Sequence, residues 1–101
     1  MKDHVWIVVA GDAWNSRDAQ TGIEVSDRLV CACNDEETAC GLVGELTKRL
    51  MAYQKGPTGY KECQPYFNAI VELDPKVTHA TLTMDESSYR AEKLRVYIPK
   101  L

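Results

Sequence analysis

Four cysteines and two histidines are the side chains of this sequence whose types suit metal chemistry. Thiolates and imidazoles are the ligands that zinc prefers, and four of them complete a tetrahedral site. Zinc fingers and ribbons hold their cysteines in pairs separated by roughly two to four residues, whereas the closest pair here has one residue between its members. We therefore expect no metal site and no cofactor. The six side chains are His4, Cys31, Cys33, Cys40, Cys63 and His79.

Nucleophilic catalysis needs a thiol with a lowered pKa and a base beside it. Cys33 lies closest to the start of a predicted helix, and Cys40 falls in the second turn of that helix, but no base is tied to either thiol by spacing. The two carboxylates Glu72 and Asp74 are spaced to share a face, and we expect them to be solvated. The sequence also has no glycine-rich phosphate loop. We expect no enzymatic activity.

Aromatic and basic residues alternate near the C-terminal end of the sequence. On a strand, four of them would share one face, as a platform for stacking bases and binding phosphates requires: Tyr89, Lys93, Arg95 and Tyr97. The inner face of that strand would then be Leu94, Val96 and Ile98. Because the chain carries a net charge of −3, nucleic acid is an unfavoured partner, and this binding mode remains an alternative.

The charge is distributed unevenly along the chain. Between Asp3 and Glu45 there are nine acidic side chains and two basic ones. The ordinary interpretation of this acidic half is a solvated surface, and the alternative is that it meets a basic surface of a protein partner.

Two strands and a helix are predicted from the first half of the sequence. Residues 5–10 are apolar on both faces, as is typical of a central strand. Residues 29–33 form a second strand, on which Cys31 and Cys33 share a face. A helix over 35–54 follows, with Asn34 as its N-cap and Glu37 completing a capping box.

The apolar positions of this helix recur at helical spacing and predict a single stripe packed on a sheet. They are Ala39, Leu42, Val43, Leu46, Leu50 and Tyr53. Gly41 and Gly44 lie in the interior of this helix, where glycine is less favourable than alanine. Either another backbone approaches the helix closely at these positions, or the packing of the helix tolerates them.

The second half is predicted to be mainly strand. Residues 66–73 alternate between apolar and mixed positions, residues 78–84 alternate in the same way, and residues 94–98 form a last strand. Residues 85–88 form a hairpin tip, unless Thr83 caps a short helix. The fold class is α+β: a four- or five-stranded, mostly antiparallel sheet with one long amphipathic helix on one face.

Length and composition are those of one small globular domain covering residues 1–101. The sequence is 45% apolar and 27% charged. Its longest apolar run is far shorter than a membrane span, and polar residues stand where a signal peptide needs apolar ones. We expect a cytoplasmic protein of a bacterium or an infected bacterial cell, with reduced cysteines.

The pattern of residues 4–75 resembles that of a loose group of small bacterial and phage proteins. The shared features are a strand such as Val5–Val9, a short strand such as Val30–Cys33, a helix that starts with acidic residues, and a segment such as Tyr66–Glu72 followed by Leu-Asp. The resemblance implies a sheet with one main helix and a setting in phage or mobile-element biology. No activity is assigned to that group, so it implies no site residues.

The function expected from the sequence is non-enzymatic protein binding by a small accessory factor. Trp14, in a polar loop, either folds back on the core or contacts a partner. Tyr66 and Ile70, on the more solvent-exposed face of a predicted strand, are further candidate contact residues. One form of this function is an acidic inhibitor that occupies the basic site of a nucleic-acid-binding complex. Open strand edges also favour a homodimer. The alternatives are the C-terminal nucleic-acid platform and a small Cys/His metal protein or enzyme.

Overall fold

The computed structural model describes residues 4–12, 28–82 and 87–95. In the described part of the chain the elements follow the order β1 (His4–Asp12), β2 (Arg28–Cys33), α1 (Glu36–Lys55), α2 (Tyr60–Val71), α3 (His79–Leu82) and β3 (Ser87–Arg95). The fold class is α+β, as predicted, but the described sheet has three strands, and two main helices accompany it.

The sheet is antiparallel, with β1 between β2 and β3. The apolar run at residues 5–10 correctly predicted this central strand. A β-bulge between Val8 and Val9 shifts the register with β2, so Val8 lies opposite Cys31 and Val9 lies opposite Leu29. The bulge leaves Val30 as the extra residue on β2.

Helix α1 packs on one face of the sheet through the predicted stripe. Ala39, Leu46 and Leu50 are buried, and Leu42, Val43 and Tyr53 pack against the same core. The N-cap is Asp35 rather than Asn34: its carboxylate accepts a hydrogen bond from the Thr38 backbone N–H at 2.7 Å. The predicted cap was therefore wrong by one residue, because Asn and Asp are both good caps and stand side by side.

The predicted strand over residues 66–73 is wrong, because the chain forms α2 there. Cys63 and Ile70 are buried and Phe67 packs on the core, a spacing of four and three residues that fits one side of a helix. Arg49 holds the two helices together, since its guanidinium donates to the Ala69 carbonyl at 2.5 Å and to the Glu45 carboxylate at 3.0 Å.

The last third of the chain also differs from the prediction. The predicted strand over residues 78–84 is wrong, because residues 79–82 form α3. Thr78 caps this turn, with its hydroxyl accepting from the Thr81 backbone N–H. β3 begins at Ser87, so the predicted hairpin tip at 85–88 partly belongs to the strand. Residues 83–86, where the rest of the tip and the Thr83 cap were predicted, and residues 96–98 lie outside the described residues.

Candidate functional site

Of the three residues predicted to contact a protein partner, the two that the structure describes do not share a surface. Trp14 lies outside the described residues. Ile70 is fully buried on α2, where it belongs to the core. Tyr66 is exposed on the same helix, and its ring lies beside Gly56 at the end of α1. Tyr66 and Ile70 do not lie on the solvent-exposed face of a sheet, as predicted, because their segment is helical.

The predicted nucleic-acid platform is divided in a similar way. Lys93 and Arg95 are exposed and point to the same side of β3. Tyr89 lies on the same side of β3 as Lys93 and Arg95, but it is only 8% exposed, so its ring lies in the core rather than on a surface. Tyr97 lies outside the described residues.

The inner and outer faces of β3 are the reverse of those predicted. Tyr89 and Ala91 face the helices and belong to or pack on the core. Leu94, which the sequence placed inside, lies opposite Val5 and is 49% exposed. Because side chains alternate between the two sides of a strand, a strand that turns one side chain to the opposite side of the sheet turns all of its side chains with it.

An apolar surface results on the side of the sheet away from the core, and we call it the outer sheet face. Register places nine side chains on it: Val5, Ile7, Val9, Leu29, Ala32, Ser88, Arg90, Glu92 and Leu94. Val9 in the middle of this face is buried, with 5% exposure, although it lies on the side of the sheet away from the core cluster. The signal for this face was present in the sequence, as the apolar residues on both sides of β1.

The outer sheet face exposes large apolar side chains at its two edges. Leu29 on β2 is 59% exposed and Leu94 on β3 is 49% exposed. Between them on β1, Val5 and Ile7 are half-buried and Val9 is buried. Single exposed apolar residues are ordinary, but a contiguous set on one face is typical of a binding surface.

An ion pair between two residues of β3 also lies on this face. The Arg90 guanidinium donates from Nε to the Glu92 carboxylate at 2.7 Å. The two residues stand two apart on β3, beside Val9 and Ile7 of the central strand. The outer sheet face therefore combines apolar side chains with this ion pair.

A buried polar cluster joins the other side of the sheet to the end of α2. Arg28, Ala10 and Tyr89 lie in one row across the three strands, and small Ala10 lets the two long side chains meet above it. Both reach Asp74, which is 1% exposed. Arg28 donates to the two carboxylate oxygens at 2.6 Å each, and the Tyr89 hydroxyl donates at 2.8 Å.

This cluster corrects the prediction that Asp74 is solvated. Turns after α2 bring it inside, since its backbone N–H bonds to the Ile70 carbonyl at 2.8 Å. The hydrogen bonds to Asp74 raise the pKa of Arg28. Burial, and then the hydrogen bond to Asp74, raise the pKa of Tyr89. Because both carboxylate oxygens are engaged by donors, the arrangement suits a structural anchor better than a general base.

Cys31 and Cys33 share a face, as predicted, and their sulfurs are 4.0 Å apart. Burial, and then the contact with Cys33, raise the pKa of the Cys31 thiol, which disfavours the thiolate that a nucleophile or a metal ligand requires. Cys40 is exposed and Cys63 is buried. Within residues 4–12, 28–82 and 87–95, no three His, Cys, Asp or Glu side chains are grouped as metal ligands.

His79 takes part in an aromatic cluster where α3 meets the two main helices. Its ring stacks on Phe67 with centroids 3.8 Å apart, and its Nδ1 hydrogen-bonds the Tyr53 hydroxyl at 3.0 Å. The ring centroid of Tyr60 lies 5.6 Å from that of His79, on the solvent side. These contacts hold α3 in place and bring no cysteine to the histidine's ring nitrogens.

Comparisons with known proteins give no match: no family model fits the chain, and no curated protein or solved structure is significantly similar to it. Among the described residues, no helix combines the length and apolar character needed to cross a membrane.

Proposed function

We propose that this protein is a non-enzymatic accessory factor that acts by binding another protein chain through the outer sheet face. The observation that carries the proposal is the exposure of Leu29 and Leu94 at the two edges of a face whose centre is also apolar. Sheet faces of this kind commonly bury themselves against a second sheet or a helix. The partner is a host protein or a second copy of this chain.

The composition of the outer sheet face favours apolar docking over charge mimicry. Its large exposed side chains, Leu29 and Leu94, are apolar, so burial of apolar area would supply most of the affinity. An acidic inhibitor would instead use the carboxylates around the start of α1, where Asp35, Glu36 and Glu37 are exposed. The two forms differ in salt dependence, because exposed charges are screened at high ionic strength.

A capture experiment with matched variants tests the proposal. Tagged wild-type protein, Leu94→Lys and Met51→Lys are incubated with a bacterial lysate, and bound proteins are quantified by mass spectrometry. Met51 is the control, since it is 46% exposed on α1 and lies outside the outer sheet face. We expect a partner that wild type and Met51→Lys retain through a wash in about 1 M salt, and that Leu94→Lys loses.

Two outcomes would count against this function. Equal capture by all three proteins would show that the outer sheet face is not the binding surface. Loss of the partner in salt, with no effect of Leu94→Lys, would favour the acidic inhibitor instead.

The nucleic-acid alternative retains one supporting observation, the exposure of Lys93 and Arg95 on the same side of β3. It loses Tyr89 as a stacking residue, because that ring is buried. Titration of a fluorescent oligonucleotide at low salt tests it: wild type would bind, and the double variant Lys93→Ala with Arg95→Ala would not.

A further inference from the structure

We propose that Cys31 and Cys33 form a site of reversible thiol–disulfide exchange, which takes a low-molecular-weight disulfide such as oxidised glutathione as its reagent. The two residues stand on β2 with their sulfur atoms 4.0 Å apart. The other two cysteines, Cys40 and Cys63, lie on α1 and α2. The pair is on the core side of the sheet, so this site is separate from the outer sheet face.

The extended backbone of β2 brings the two thiols together. Residues two apart on a strand point to the same face, and a rise of about 3.3 Å per residue separates their Cα atoms by roughly 6.6 Å. Disulfides span Cα separations of about 4.4–6.8 Å, so a bond between Cys31 and Cys33 fits near the upper end of that range. The sulfurs must approach each other by about 2 Å, which rotation about the two Cα–Cβ bonds can supply.

A disulfide at this position would be easily reduced. Disulfides near the limit of their geometry store strain and are more reducible than structural ones. The loop that this bond closes runs only from residue 31 to residue 33, so it removes little entropy from the unfolded chain. Strain without that compensation favours a bond that cellular thiols reopen, as is usual for redox-sensing disulfides in reducing compartments.

The different exposures of the two thiols set the order of the reaction. Cys31 is half-buried and Cys33 is buried, so oxidised glutathione meets Cys31 first. The Cys31 thiolate attacks one sulfur of the reagent, forms a mixed disulfide and releases one glutathione thiolate. The Cys33 thiolate then attacks the Cys31 sulfur, closes the internal bond and releases the second glutathione. In total, the two cysteine thiols lose two electrons and two protons, which leave with the two glutathione thiols.

Exchange at this site should be slow near neutral pH and faster in alkali. Burial, and then the contact with Cys33, raise the pKa of Cys31, so little of the attacking thiolate is present at neutral pH. Cys40 is exposed and would react before the pair. The test therefore uses Cys40→Ala as its starting protein.

The experiment is peptide mapping of the Cys40→Ala protein after incubation with oxidised glutathione at mildly alkaline pH, with remaining thiols alkylated before digestion. Cleavage after Arg and Lys gives residues 29–48, whose cysteines are then only Cys31 and Cys33, and residues 62–76, which contain Cys63. We expect the 29–48 peptide to lose two hydrogen atoms and to carry no glutathione. Reduced glutathione in excess should restore both thiols.

Two further variants in the same background test the order of the steps. Cys33→Ala blocks the second step, so Cys31 should retain bound glutathione at about 10-fold or more the level in the Cys40→Ala protein. Cys31→Ala should form neither product, because Cys33 is buried. Both variants keep a small apolar side chain at the site, and circular dichroism confirms that they fold.

Three results would overturn the proposal. If the 29–48 peptide keeps both thiols in excess oxidised glutathione, the fold does not allow the bond. A link between the 29–48 and 62–76 peptides would assign the exchange to Cys63. Equal amounts of glutathione on Cys31 with and without Cys33 would show that Cys33 does not complete the reaction. The docking function would stand in each case, since it uses the other side of the sheet.

Discussion

Removal of one partner from the Arg28–Asp74 ion pair should cost this fold a large share of its stability, because the other charge is left without its partner. Asp74→Asn keeps the shape of the side chain but removes its charge, and it turns one acceptor atom into a donor that faces the Arg28 guanidinium. Breaking a buried ion pair from one side costs about 3–5 kcal/mol. Arg28 is 28% exposed and can recover part of its hydration, so we expect a loss of about 2–3 kcal/mol.

The assay for this prediction is urea unfolding followed by circular dichroism. A chain of 101 residues has a total stability of roughly 5–15 kcal/mol, so the loss would be large and should lower Tm by about 10–15 °C. Glu72→Gln is the matched control, since it removes a carboxylate two residues away that is 72% exposed and lies 3.5 Å from Arg49. That substitution should cost less than about 1 kcal/mol.

A double-mutant cycle with Arg28→Met separates the pair from its surroundings. Arg28→Met alone leaves Asp74 charged and buried, so we expect it to be at least as harmful as Asp74→Asn. The double variant should lose less stability than the sum of the two single variants, because both charges are removed and neither is left buried without its partner. Additive losses, or an Asp74→Asn variant as stable as Glu72→Gln, would refute the reasoning.

Three further predictions follow from burial and pKa. The pKa of Tyr89 is raised in the fold. What its hydroxyl contributes to the free energy of unfolding is therefore complete below its unfolded pKa of about 10 and is lost as pH rises above that value. Tyr89→Phe should flatten this alkaline decline in stability. Gly44→Ala should stabilise α1 by up to about 1 kcal/mol, because the added Cβ has no neighbour within 4 Å. Gly56→Ala should instead destabilise the fold, because its Cβ would lie 2.8 Å from a backbone oxygen. Iodoacetamide at mildly alkaline pH should label exposed Cys40 well before Cys31, whose pKa is raised.

Each of these three has a contrary outcome. The Tyr89 prediction fails if the alkaline decline is as steep in Tyr89→Phe as in wild type. Destabilisation by Gly44→Ala would mean that another chain approaches α1 there, which is the other explanation of the helix glycines. Labelling of Cys31 as fast as Cys40 in peptide mapping would show that the strand thiols are open to solvent.

The segment from β2 to the end of α1 was predictable because its signals are local. The strand at residues 29–33, the acidic helix start and the apolar stripe through Leu46 and Leu50 each depend on neighbours in sequence. Such features form wherever the tertiary structure leaves them a face to pack on. Only the cap residue was misplaced, between two adjacent good caps.

Helix α2 was not predictable from alternation, because its sequence satisfies two patterns at once. Residues 66–73 alternate with period two, which predicted a strand. Cys63, Phe67 and Ile70 also recur at helical spacing, and those are the residues that face the core. α2 also contains Pro65, although proline in the interior of a helix removes a backbone donor. Packing against α1 decided between the two patterns.

The candidate site was missed because the sequence gives the alternation of β3 without giving its direction. Lys93 and Arg95 suggested that their side of the strand was outside, by the usual rule that charges face water. They do face water, but they stand toward one end of the strand, while Tyr89 and Ala91 on the same side reach the core. Leu94 is thereby turned away from the helices, onto the same face as Leu29. Pairing with β1 puts these two leucines on opposite edges of one apolar surface, which neither strand predicts alone. The direction of β3 is therefore also the premise of the docking proposal, and exposure of Leu94 in the folded chain is what that proposal requires.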